Sequence, residues 1–415
     1  MVAWLLATGP LELSSLGEEE ALARVLWEQA PQLQQARARL AQTEAERLKA
    51  THLPNPGLDV SVNTLPVGPL NPPDLKNPLL NVPSVAVGLS MLVELGKRQP
   101  RQEATTHAAA AAALEALEQL RQLVLQLDDV IGDVAAAQLR VEAWEGLGED
   151  ASRLSEVQQA RAEKGDASEL DADRARLEHE ATLTAMSEAR AELAQALRQC
   201  TLTFSQPCIA FANTAQAVEW LRRHRARGTA SFERRPDLRA LEATSAAARA
   251  QQRLADKGWL PDPTVRVGYV RDQFIISGNQ QNSLFVGLSL PLPLFERGEA
   301  DAAAAAATAE SAAQARQTLL LGASAQLRQL TGELADVESR QARLRAHSLP
   351  LARSVVARLT TAVTRGAAPI QELLLARRSL AELLLTATEL DRTDFHLHVE
   401  LARLTGSLET LPSRP

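Results

Sequence analysis

Two apolar spacings account for most of this chain. Four short stretches alternate at period two, the spacing of a strand with unlike faces. Leu58, Val60 and Val62 stand opposite Asp59, Ser61 and Asn63; Val85, Val87, Leu89, Met91 and Val93 stand opposite Ala86, Gly88, Ser90 and Glu94. Val265, Val267 and Tyr269 alternate with Arg266 and Gly268, and Leu284, Val286, Leu288 and Leu290 alternate with Phe285, Gly287 and Ser289. These predict strands over about 57–64, 84–94, 263–272 and 283–292. Elsewhere the spacing is helical. Leu117, Leu120, Val124, Leu127, Ile131, Val134 and Val141 fall at alternating steps of three and four, with Gln138 the exception. From Pro100 to the turn at Gly165 is roughly 65 residues, or about 100 Å of helix, and Arg297 to Gly366 predicts a second helix of about that length. An ascending helix, about Leu16 to Ala50, and a returning one, about Ala167 to Cys200, are each roughly half as long.

The pattern occurs twice. Leu53-Pro54-Asn55-Pro56 recurs as Leu260-Pro261-Asp262-Pro263, and Val87-Gly88-Leu89-Ser90 as Val286-Gly287-Leu288-Ser289. Gly165, Asp171 and Ala175 recur as Gly366, Glu372 and Ala376 at the same internal spacing, so tandem duplication is the simplest origin. The organisation read from this is an N-terminal segment over 1–15, a first repeat over 16–205, a linking segment over 206–231, a second repeat over 232–405 and a tail over 406–415. The opening residues carry an apolar patch from Val2 to Leu6 with no Lys or Arg ahead of it, and read as a truncated signal peptide.

Four strands leave a sheet with two unpaired edges, whereas three chains contributing four each would close a twelve-stranded barrel. The stretches from Thr64 to Pro83 and from Ser277 to Asn282 then become rim loops. No apolar run reaches the ~18 residues of a spanning helix, but a barrel strand needs only about 10 alternating residues. Composition agrees with thin, Ala-rich helix packing: aromatics are 3% of the 415 residues and there is one Tyr.

A net charge of −7 argues against nucleic acid as a partner. The cluster Arg222, Arg223, His224, Arg225 and Arg227 reads as a solvated helix end. Cys200 and Cys208 flank Pro207 and either form a local disulfide in an oxidising compartment or remain two thiols of a loop. Neither lies in a lipidation motif near the start. No catalytic constellation, metal site or cofactor loop emerges. The seven His are scattered, and the one close pair, His396 and His398, is spaced i, i+2, which does not converge on one ligand from a helix.

Several independent passages resemble the TolC outer-membrane efflux family over nearly the whole length. Arg235-Pro236-Asp237-Leu238 opens the second ascending helix. Val286 to Gly298, reading VGLSLPLPLFERG, is similar to the family's passage from the second barrel hairpin into the long helix, with Pro291 and Pro293 ending the ladder. Glu94-Leu95-Gly96-Lys97-Arg98 is similar to the signature of the cation-efflux, CzcC-like branch, whose members export heavy-metal ions.

The resemblance implies an α+β, mostly α fold: a TolC-like homotrimeric channel whose protomers share a twelve-stranded barrel in the outer membrane of a Gram-negative bacterium and extend a long α-helical tube into the periplasm. Leu58, Val60, Val62, Val85, Val87, Leu89, Val265, Val267, Tyr269, Leu284, Val286 and Leu288 would face outer-membrane lipid. The turns around Gly165 and Gly366 resemble the family's periplasmic hairpin tips, which dock onto a periplasmic adaptor (membrane fusion) protein linked to an inner-membrane RND-type transporter. The docking set is Gly165, Ala167, Leu170, Asp171, Gly366, Ala368, Ile370, Glu372 and Leu373, with Leu170, Ile370 and Leu373 as apolar anchors. Glu372 and Asp171 are the candidate acidic constriction of the lumen. Leu375 takes the place of a second acid, and no Tyr and Arg pair stands at the family's gate-link positions. A duct for drug efflux or type I protein secretion shares this architecture. A soluble coiled-coil scaffold or a periplasmic adaptor would have no use for four amphipathic strands and two hairpin tips.

Overall fold

The structure, a computed structural model, describes residues 11–13, 23–24, 26–28, 30–67, 76–204, 206–222, 232–273 and 280–405. Apart from short helical turns at Pro31–Leu33, Pro78–Asn81 (within the expected rim loop), Phe232–Arg234 and Leu344–Ser348, the elements in chain order are strand β1 (Leu11–Glu12), helix α1 (Gln34–Thr51), β2 (Gly57–Asn63), β3 (Ser84–Leu92), α2 (Arg98–Glu163), α3 (Glu169–Phe204), β4 (Cys208–Ile209), α4 (Thr214–Arg222), α5 (Pro236–Ala255), β5 (Thr264–Asp272), β6 (Asn282–Ser289), α6 (Glu299–Arg343), α7 (Leu349–Thr364) and α8 (Ile370–Thr405). The chain forms two compact units. One draws on Met1–Gln35, Ala116–Leu238 and Thr318–Pro415, the other on Ala36–Glu115 and Arg239–Gln317. The apolar patch of Met1–Pro10, most of the basic cluster beyond Arg222, and the tail over 406–415 lie outside the described residues.

Prolines interrupt one helix and widen a turn of another, neither of which the apolar spacing alone predicts. The ascending helix is already helical at 23–24 and 26–28, is interrupted at Ala30, and resumes as α1 from Gln34 after a 3-10 turn at Pro31–Leu33, because Pro31 holds Ala30 extended at φ −67° and ψ 124°. The helix expected from Arg297 to Gly366 is present from Glu299 to Thr364 as α6 and α7, joined without a gap through a π-helical turn at Leu344–Ser348. Pro350 has no N–H and its ring crowds the carbonyl four residues back, so the backbone widens just ahead of it.

The sheet unit carries one four-stranded antiparallel sheet in the order β2-β3-β5-β6. Its register places Leu58 beside Leu89, Val267 and Val286, and Val60 beside Val87, Tyr269 and Leu284. Met91, Val265 and Leu288 form a third row on the same face. The opposite face carries Asp59, Ser61, Ala86, Ser90, Arg266 and Ser283. There Phe285 covers the paired Gly88 and Gly268: a Cβ on Gly268 would meet the Phe285 ring at 2.5 Å, so the ring requires the missing side chain. β2 and β6 remain open edges.

The passage out of β3 is fixed by ion pairs. Arg101 grips Glu94 through both terminal guanidinium nitrogens. Lys97 pairs with Asp262 at 3.0 Å, and Asp262 also accepts the Leu95 amide at 2.9 Å. Arg98 donates to the Thr51 carbonyl at the end of α1. The charged residues of the Glu94–Arg98 signature therefore brace a chain turn.

In the helical unit the seven residues of the heptad stripe on α2 are all buried. Leu117, Leu120, Val124 and Leu127 pack with Ala23, Leu26, Ala30 and Leu33. Ile131 and Val134 join Phe211, Trp220, Leu221, Phe395 and Val399. Leu123, Leu125 and Val130 between them are buried too, so this part of α2 is enclosed on more than one side rather than along a single seam.

Around this core, Cys200 and Cys208 are bridged, with Cα atoms 6.0 Å apart, tying the end of α3 to β4. β4 pairs in parallel with β1, and Leu13, buried in the same core, makes residues 11–13 part of the fold.

The last carbonyls of α8 have no partners within the helix. Two buried guanidinium groups supply them. Arg121, fully buried, donates to the carbonyls of Ala402 and Arg403 while its other nitrogens hold Glu118 at 2.7 and 2.8 Å. Arg235 donates to the Leu404 carbonyl and pairs with Asp237. The Arg-Pro-Asp-Leu motif thus closes a distant helix as well as opening its own.

Candidate functional site

Two surfaces carry the sequence-predicted residues, one in each unit. On the sheet, all twelve candidate lipid-facing side chains project from the same face and are exposed, from 37% at Val265 to 82% at Leu284. A continuous apolar face of this kind marks a membrane or protein contact. No described helix is long and apolar enough to cross a membrane.

The second surface is the pair of hairpin tips, built alike. After α2, Gly165 adopts φ +78°, its amide returns to the Ala162 carbonyl, and the Asp166 amide reaches Arg161. After α7, Gly366 adopts φ +70° with the equivalent bonds to Val363 and Ala362. This is the left-handed helix ending that glycine allows. Ser168 caps α3 through its hydroxyl, 3.1 Å from the Asp171 amide. The α8 turn instead follows Pro369, whose carbonyl receives the Glu372 amide.

The tips are joined by Arg161, which the sequence reading missed. It donates to the Val363 carbonyl at 2.7 Å and to the Asp166 carbonyl at 3.3 Å, satisfying helix-end acceptors of both hairpins. Ile370 and Leu373, expected to anchor a partner, are instead 4% and 0% exposed. They pack with Leu154, Ala175 and Val363 inside the tip, because a hairpin pair this thin has few other residues from which to build its own core. Of the three proposed anchors Leu170 alone is exposed; Leu375 and Leu177 are exposed nearby. Gly165, Gly366 and Glu372 lie at the surface, while Ala167, Ala368 and Asp171 are half-buried. Asp171 stands 3.5 Å from Arg174.

A polar cluster inside the helical unit also escaped the sequence reading. His396 of α8 places Nδ1 2.9 Å from Asp129 and Nε2 3.0 Å from Asp133, both on α2. Arg403 and Arg392 pair with the same two aspartates. Burial alone would push the imidazole pKa down, but hydrogen bonds and charge from Asp129 and Asp133 outweigh it and raise it from 6.5 to about 9. Because the folded value lies above the unfolded one, the stabilisation is complete below pH 6.5 and is lost as pH rises through about 9. With the side chain 31% exposed, its size is on the order of 2 kcal/mol. Urea unfolding should therefore show wild-type stability falling across that window, and His396→Gln should flatten the slope; an unchanged slope in the variant would contradict this assignment.

His398 does not join His396. Its Nδ1 lies 2.8 Å from the Asp394 carbonyl of its own helix. Glu338, Asp394 and His398 bring ligand atoms within 4.8 Å of one another, the one grouping of this type among the described residues. Glu338 is exposed, and three such groups do not by themselves define a metal site.

Comparison with known proteins follows the same lines. No curated protein sequence matches the chain. Solved structures do. The structure of CusC, a protein that forms a transmembrane channel, superposes with a TM-score of 0.73 at 16% identity, covering 94% of this chain and 92% of that one. The outer membrane protein VceC of Vibrio cholerae gives 0.71 at 16%, covering 94% and 96%. The Campylobacter jejuni CmeC outer membrane channel gives 0.71 at 14%, covering 100% and 92%. The model of the family described as outer membrane efflux protein matches residues 230–406. The chain thus has a mostly helical, TolC-like fold over nearly its whole length, and its second half matches the outer membrane efflux protein family.

Proposed function

We propose that this protein is the outer-membrane channel of a tripartite efflux system in a Gram-negative bacterium, a passive exit duct that catalyses nothing. The observation that carries the proposal is the sheet: twelve apolar side chains exposed on one face, and an open strand at either edge. An isolated sheet of this kind is poorly stable in water, whereas three copies joined edge to edge close a barrel with its apolar face in lipid and its polar face toward a water-filled lumen. The partners in this reading are two further copies of the chain, outer-membrane lipid, a periplasmic adaptor at the exposed rim of the hairpin tips, and an inner-membrane RND-type transporter that supplies the energy.

Heavy-metal cations are the proposed cargo. Support comes from the Glu94–Arg98 passage resembling the cation-efflux branch, and from Asp171 and Glu372 at the two tips, which would favour cations in a narrowed lumen. The charges of that passage brace a turn, so cargo preference rests on the resemblance and the acids together. Drug efflux or type I protein secretion is the second reading.

Deletion of the gene in its host should sensitise cells to cobalt, zinc, cadmium or copper salts, with restoration by the wild-type gene. Sensitivity to drugs alone would overturn the metal assignment and leave the duct. Recovery of the protein in the cytosolic fraction as a monomer would overturn the duct itself in favour of a scaffold.

A further inference from the structure

The helical unit contains a cleft of about 280 Å³ near the hairpin tips, formed by α2, α3, α7 and α8 and unused by anything above. Its walls are largely apolar, with Trp144, Leu147, Val356, Leu380 and Leu385 among them. One guanidinium opens into it without a carboxylate of its own. Arg377 donates through Nη1 to the Asp150 carbonyl at 2.8 Å, while its Nε is buried with no hydrogen-bond partner. Its neighbour Arg378 is committed to Glu178 at 2.9 Å, and Asp150 and Glu382 are the other two acids of the lining. Burial pushes the Arg377 pKa down, as expected for a cation that lacks a direct counter-ion; the charges of Asp150 and Glu178 act in the opposite direction. A buried donor left unsatisfied is costly, and a cleft of mainly apolar walls with a few charged and polar groups is the ordinary form of a small-ligand site.

We propose that this cleft binds a small organic anion with an apolar, aromatic-sized body packed against Trp144 and a carboxylate or sulfonate head on Arg377. The volume lies near the lower end of the ~300–1,000 Å³ typical of such sites, which limits the ligand to one or two rings. An occupant would touch both helical hairpins at once, α2 and α3 on one side and α7 and α8 on the other.

Isothermal titration calorimetry of the purified full chain with naphthoate, and with neutral naphthamide as the isostere, tests this independently of the channel reading. We expect saturable naphthoate binding at one site in each chain, with naphthamide weaker by about tenfold or more. Arg377→Gln should erase the preference for the anion, and Ala381→Trp, which fills the cleft, should abolish binding of both. Circular dichroism melting checks that each variant is folded. Absence of saturable binding to the wild type would overturn the proposal, as would equal affinity for the two probes or unaltered binding to folded Ala381→Trp.

Discussion

Replacing Arg121 with alanine is expected to lower the unfolding free energy by about 3–5 kcal/mol, the range measured when one partner of a buried ion pair is removed. Arg121 is fully buried and its guanidinium is shared between Glu118 and the two carbonyls at the end of α8. Truncation leaves a nearly enclosed carboxylate without its counter-ion and exposes two helix-end acceptors to an apolar core. Lysine keeps the charge but lacks the planar fork, so Arg121→Lys should fall between the wild type and alanine. Chemical unfolding followed by circular dichroism measures the difference; a change below about 0.5 kcal/mol for alanine, the range of ordinary surface substitutions, would refute this account of the α8 terminus.

The second large effect is expected on the sheet. In the proposed barrel, Val267→Arg places a cation on the lipid face, at a cost of about 2–4 kcal/mol per copy near mid-membrane and about 6–12 kcal/mol across three copies. Ser61→Arg puts the same charge on an exposed position of the opposite face, where it meets the lumen. We expect the Val267 variant to be lost from the outer-membrane fraction and the Ser61 variant to remain there. Equal recovery of both would mean that the two faces do not meet different solvents.

The strands were the most legible part of the fold. A period of two survives in sequence because each residue is assigned to one face, and the observed register turns Leu58, Leu89, Val267 and Val286 to the same side. Helix length was legible as spacing, but local irregularity was not: Pro31 interrupts the first ascending helix and Pro350 widens the turn ahead of it, through a missing donor and a steric clash that apolar periodicity does not register.

The tips were legible as turns from their glycines. Their inner packing was hidden, because whether Ile370 and Leu373 face a partner or their own hairpins depends on neighbours about 200 residues away in sequence, such as Leu154 and Ala175. The same holds for Arg121 and His396. A charged residue in a helix reads as solvated until the fold brings an orphan carbonyl or a carboxylate against it.

Neither compact unit coincides with one copy of the internal duplication, since each takes segments from both halves of the chain. During synthesis the first half therefore emerges with its long helix and two strands lacking the surfaces that complete them. Contacts of such large sequence separation form slowly. The sheet unit cannot close until the chain has been made as far as Gln317, and the helical unit not until nearly all of it has. A gene cut between the repeats would yield two fragments that are each insufficient, even though each retains a full set of the ancestral elements.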